Sequence, residues 1–188
     1  MKKSICILFC LLLLLLVLGC GKNNNSEVGL SGDDEPKTYQ KTWKTTEIIG
    51  DEFFVERTEK ALELIKNQYP DCYDLVTNYV GIIEQYSESG MWAFENPPIF
   101  RVGLATYSSS TTWYASSIVH DSYHSKLYND YLVSHDSVPA EIWRDMEAEM
   151  ACLELQIHFL ETIGAPEAEI EHAKSFRGEN WWDIPRTW

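Results

Sequence analysis

Two histidines four residues apart frame an acidic residue in the stretch Ile118-Val119-His120-Asp121-Ser122-Tyr123-His124. On a helix, positions i and i+4 share one face, one turn above the other, so the imidazoles of His120 and His124 can address a single point. Imidazole binds divalent transition metals well, and a tetrahedral catalytic site needs three such protein donors with one position left for water. Asp121 adds a carboxylate that could take a proton from that water. The apolar residues leading in, Trp113, Ala115, Ile118 and Val119, argue against a merely solvated histidine face.

The layout is that of an H-E-x-x-H zinc helix with aspartate where glutamate is expected. Aspartate has the right chemistry but is one methylene shorter, a retreat of about 1.5 Å. A displacement of that order can cost about a hundredfold in rate. The backbone must then approach to compensate, or catalysis is slow, or the site binds metal without hydrolysis. The third donor has to come from elsewhere. Asp130 lies six residues after His124, at the spacing of extended motifs, but Leu127 stands where those motifs need a glycine to turn the chain. Glu147, Glu149 and Glu154 lie on a later helical segment. Of these, Glu149 falls on one stripe with Cys152, Leu153 and Gln156, and a carboxylate on a partly buried face is costly unless paired or metal-bound. Glu149 is therefore preferred, with Glu147 and Asp130 as alternatives.

The elements that must position these residues read mostly as helices. Phe54, Thr58, Ala61, Leu62 and Ile65 predict a helix from Asp51 to Tyr69-Pro70. Asp71 would cap a second helix carrying Leu75, Val76, Tyr79, Val80 and Ile83, closed near Ser89-Gly90. Residues 99–107 form the best strand, with Gly103 marking a bulge or a close backbone approach. The polar loop 108–112 leads into the histidine helix, expected to run to about Tyr128. A loop containing Asn129, Asp130, His135 and Asp136 follows. Pro139 then sits in the first turn of a long helix ending at Gly164, and Pro166 opens a last short helix ending near Gly178. The three tryptophans of the tail, Trp181, Trp182 and Trp188, are expected to pack back on the domain. The fold class is mainly α with a small β element (α+β), in a single domain spanning 47–188. Tyr107, Tyr114, Tyr123, Tyr128, Tyr131 and His135 are open as oxyanion helpers, most of them as packing or rim residues; His158 and His172 lack ligand spacing and read as structural.

The N-terminus reads as targeting. Lys2 and Lys3 precede a leucine-rich apolar run too short for a comfortable transmembrane helix, and Val17-Leu18-Gly19-Cys20 places a small residue just before cysteine. This end resembles the lipobox of bacterial lipoproteins, which implies a signal peptide over 1–19, lipidation of Cys20 and a membrane partner on the extracytoplasmic side of the cell envelope. Two acyl chains suffice for stable anchoring where one does not. Residues 20–46, rich in Asn, Ser, Gly and acidic residues, are predicted to be a disordered tether. The formal charge is −14, or −16 once the two lysines of the signal are removed, and argues against nucleic acid as a partner. Outside the cytoplasm Cys72 and Cys152 could form a disulfide; two separate buried thiols are the equal alternative.

From about 99 to 164 the chain resembles small bacterial zincin-type (gluzincin-like) metallopeptidases. The resemblance rests on Val119-His120-Asp121-Ser122-Tyr123-His124, on Glu149-Met150-Ala151-Cys152-Leu153-Glu154-Leu155-Gln156, and on Phe159-Leu160-Glu161-Thr162-Ile163-Gly164-Ala165. It covers about a third of the chain. It implies a zincin-like arrangement of a histidine helix followed by a glutamate helix. It also implies Zn2+ on His120, His124 and Glu149, Asp121 as general base, and a peptide or protein substrate. The alternatives are a non-catalytic metal- or ligand-binding envelope lipoprotein on the same scaffold, and a structural protein with incidental histidines.

Overall fold

The protein is described by a computed structural model over residues 37–177. The signal stretch, Cys20, residues 20–36 of the expected tether and the tryptophan tail lie outside those residues. Strand β1 (Tyr39–Trp43) and β2 (Thr46–Gly50) pair antiparallel as a hairpin. Helices α1 (Glu52–Gln68) and α2 (Pro70–Tyr79) then carry the chain to β3 (Ile82–Gln85), which lies parallel to β2. Next come β4 (Gly90–Trp92), β5 (Ile99–Val102) and the helical turn α3 (Leu104–Tyr107). The histidine helix α4 spans Thr111–Leu132, followed by α5 (Ala140–Trp143), α6 (Met146–Thr162) and α7 (Glu167–Ser175). The sheet order is β1-β2-β3-β5-β4, with β5 parallel to β3 and β4 antiparallel to β5 at the edge. The mixed α/β composition agrees with α+β, with far more sheet than one predicted strand.

Several expectations need correcting, among them the end of the histidine helix, which runs on through Asn129 and Asp130 to Leu132, and the Asp71 cap, which lies inside α2 behind Tyr69. Residues 39–46, assigned to the tether, form a hairpin anchored on the domain: Trp43 Nε1 donates to Tyr73 Oη at 2.9 Å, and buried Thr46 donates to the Val80 carbonyl at 2.9 Å. β1 is exposed along most of its length, so no apolar alternation betrays it. The second helix stops at Tyr79, and Ile82-Ile83 belong to a strand; a short apolar run fits either period, and non-local pairing with β2 and β5 decides. The strand predicted over 99–107 ends at Val102, because Gly103 starts a helical turn. A Cβ on Gly103 would lie 3.1 Å from the Ser87 carbonyl oxygen and 3.2 Å from Glu88 Cα, the close approach its lack of a side chain permits. The long helix expected over 137–164 is broken at Arg144, and Asp145 caps the restart by accepting from Met146 N–H at 2.7 Å.

Helix α4 is the element the others surround. It packs against α1, α2, α3, α5, α6, β4 and β5. Tyr114, Ile118 and Val119 join the principal core with Phe54 and Ile65 of α1 and with Ile83 and Phe100 of the sheet. Because neighbours cover it on several sides, its buried set includes Ser116, Ser122 and Ser125, small residues that let other elements approach and whose hydroxyls bond within α4 or to the element packed on it. Ser125, for example, donates to the Tyr79 carbonyl at the end of α2. Arg57 of α1 reaches the Tyr107 carbonyl at 3.0 Å and Thr111 at 3.3 Å, fixing the entry to α4, and Ser110 caps it by accepting from Trp113 N–H. Helix α6 is two-sided. Phe159 faces the principal core, whereas Leu153, Ile157 and Leu160 form a second cluster with Ile170 and Ala173 of α7. Gly164, at φ +64°, lets the chain leave α6, as its sequence position predicts.

Candidate metal centre

Helices α4 and α6 face each other in opposite order, so successive turns of one meet receding turns of the other. Ser116 meets Gln156, His120 meets Gln156 and Glu149, and His124 meets Glu149. The imidazole Nε2 atoms of His120 and His124 stand 3.1 Å apart. Glu149 Oε2 lies 3.4 Å from the first and 3.3 Å from the second. All three side chains are buried.

The orientation of each imidazole follows from its other nitrogen. Ser116 Oγ donates to the Trp113 carbonyl, so towards Gln156 it can only accept, which it does from Nε2 at 3.0 Å. The Gln156 amide is thereby turned with Oε1 towards His120 Nδ1, at 3.1 Å. His120 Nδ1 must then carry the proton, and its Nε2 presents a lone pair. His124 Nδ1 meets the backbone carbonyl of Trp143, which only accepts, with the same result. That carbonyl is free because the helix breaks just after α5. Trp143 is itself held edge-on by Phe94 and Tyr128. This is the outer hydrogen bonding expected of metal-ligating histidines, which fixes tautomer and ring direction.

Two imidazole lone pairs and a carboxylate at 3.1–3.4 Å repel one another unless a proton or a metal cation lies among them. A tetrahedron built on bonds of about 2.0–2.1 Å has edges of about 3.3–3.4 Å, so the three distances suit a zinc-sized ion. Cys152, one turn beyond Glu149, completes the surroundings: the ligand atoms of His120, His124 and Cys152 all lie within 4.8 Å of one another. These three buried residues could hold a metal ion.

The electrostatics reflect the crowding. Burial alone would lower the pKa of His124, but the Cys152 and Glu149 groups beside it override that and raise it well above the ordinary histidine value. Burial would raise Glu149, yet hydrogen bonds and charge from the two histidines hold it far below the usual carboxylate range. The Cys152 thiol is pushed up by burial, partly offset by His124, and the charges of Glu149 and then Asp121 add to the rise. Asp121, which follows His120 on α4, is buried at 8% exposed.

Of the residues singled out in the sequence, the structure gathers His120, His124 and Glu149, and Asp121 is buried next to His120 in the chain. It leaves out the alternatives. Helix α4 runs straight through Leu127, so Asp130 sits on the outer surface, accepting from Tyr79 Oη at 2.7 Å and pairing with Lys126. Glu147 is exposed, and Glu154 pairs with Arg177. Tyr107 and Tyr114 are engaged with Gln85 and Thr58. Cys72 and Cys152 are separate free thiols, so the disulfide alternative falls. Cys152 itself was missed as a donor, although its i+3 spacing from Glu149 was visible; the Trp143 carbonyl leaves no sequence signal at all. Comparison with protein-family models, curated proteins and solved structures returns no match.

Proposed function

We propose that this is a lipid-anchored, extracytoplasmic zinc protein of the metallopeptidase type, with His120, His124 and Glu149 as zinc ligands. The observation that carries this reading is the placement of one Glu149 oxygen within 3.3–3.4 Å of both imidazole nitrogens that face it. Zinc fits a mixed nitrogen, oxygen and sulfur donor set, and when bound it would polarise a peptide carbonyl and acidify water. The chain's own residues do the rest. Gln156 and the Trp143 carbonyl keep both Nε2 lone pairs aimed inward. Asp121 takes the proton of the attacking water and returns it to the leaving amine nitrogen. Peptide substrates rest on the resemblance to zincin-type metallopeptidases, and the anchor rests on Cys20.

A second reading, a non-catalytic metal-binding lipoprotein on the same scaffold, is favoured by the shortness and burial of Asp121. Metal analysis of the purified full chain tests the site first. Near-stoichiometric zinc is expected, absent from the H120A/H124A double variant. In E149A the affinity should fall by more than the ten- to hundredfold that loss of an outer partner costs, about two orders of magnitude or beyond. D130A should match wild type. Zinc-free protein would overturn the proposal, and zinc lost in D130A but kept in E149A would move the third ligand. Peptide hydrolysis by D121E and D121A then separates the two readings: a base role requires that D121A lose turnover, and equal rates in the two variants would remove Asp121 from it.

A further inference from the structure

We propose that Cys152 is a fourth protein ligand, so that the metal held by His120, His124 and Glu149 sits in a closed His-His-Glu-Cys site that is latent towards hydrolysis. This rests on the metal-site reading above and concerns how that same site is regulated.

Three observations carry it. The first is position: Cys152 follows Glu149 by one turn of α6, on the face that meets α4, with its sulfur and the two histidine ligand atoms within 4.8 Å of one another. A tetrahedral site with bonds of about 2.0–2.1 Å to nitrogen and 2.3 Å to sulfur has a nitrogen–sulfur edge of about 3.6 Å, so the sulfur has to close on each histidine nitrogen by about 1.2 Å at most. The second is company. A buried cysteine ordinarily packs as a small hydrophobe, as Cys72 does within the principal core. Cys152 is fully buried yet belongs to neither apolar cluster among the described residues; its sulfur lies instead by the ligand nitrogens of His120 and His124. The third is donor count. Two imidazoles, a carboxylate and a thiolate fill four corners, which is the pattern of closed zinc sites, whereas open ones keep three protein donors.

On metal binding the thiol proton is released and the sulfur takes the corner that hydrolysis would leave to water. Opening the site requires that sulfur to leave.

Cobalt(II) titration of the purified full chain tests this without relying on turnover. Wild type is expected to develop a near-ultraviolet thiolate-to-cobalt charge-transfer band at one equivalent. The C72A variant should keep that band. C152A and the more conservative C152S should lose it while still binding cobalt, at least tenfold more weakly. Cobalt bound through the histidines without the band in wild type, or a band that survives in either Cys152 variant, would overturn the thiolate ligand and leave the three-donor site standing. No cobalt binding at all would overturn both. With zinc, C152A should hydrolyse peptides faster than wild type; equal or slower turnover, in a variant that retains zinc and the wild-type circular dichroism, would overturn latency.

Discussion

At the scale of single residues, the site depends as much on what the imidazoles do at Nδ1 as on the atoms they present at Nε2. Gln156 is the most informative case, because Ser116 fixes its amide and the amide fixes His120. Replacing Gln156 by leucine removes the acceptor and leaves His120 free to exchange tautomers. Zinc affinity, measured by competition with a chromophoric chelator, should fall about ten- to hundredfold. Q156E keeps an acceptor at the same reach and should retain most of the affinity. The two thiols differ for the same kind of reason. Burial, then the charge of Asp71, pushes Cys72 up to about 12, so that thiol stays neutral within the apolar core, whereas Cys152 lies with His120 and His124 in a group that could hold a metal ion.

At the scale of elements, α4 supplies the histidines and the break between α5 and α6 supplies the partner carbonyl for one of them. An unbroken helix over 137–164 would commit the Trp143 carbonyl to its own ladder; the break at Arg144 turns it to His124. The start of α4 lies more than two turns before His120, so its cap should act on folding and leave the metal alone. Ser110→Ala removes the acceptor for Trp113 N–H and should cost about 1 kcal/mol in denaturant unfolding, with zinc affinity unchanged. A change in affinity would show that the cap also sets the register of the histidines.

At the scale of the whole molecule, the hairpin at 39–50 belongs to the folded unit. It extends the sheet beyond β3, and Trp43, Thr45 and Thr46 all bond to α2 or its exit. A chain beginning at residue 47, where the sequence alone would place the boundary, loses those bonds and exposes the edge of β2. Relative to a chain beginning at residue 37, it should be less stable by at least about 2 kcal/mol in a urea melt, since each lost bond contributes about 1 kcal/mol. Equal stability would return the hairpin to the tether. No helix among the described residues is long and apolar enough to cross a membrane.

What the sequence determined by itself was local. His120 and His124 share a face because helical spacing alone decides it, and Glu149, Cys152 and Gln156 share another for the same reason. Starts and stops at Pro139, Gly164 and Pro166 were legible because they act within a few residues. The tertiary structure decided everything that joins distant segments. Strand pairing across the sheet made Ile82-Ile83 a strand and drew residues 39–46 into the domain, because ladder partners lie tens of residues away. Packing of α6 against α4 brought Glu149 to the histidines and Cys152 with it. The Trp143 carbonyl entered the site only because a helix ended there, and a backbone atom carries no residue type for a sequence to display.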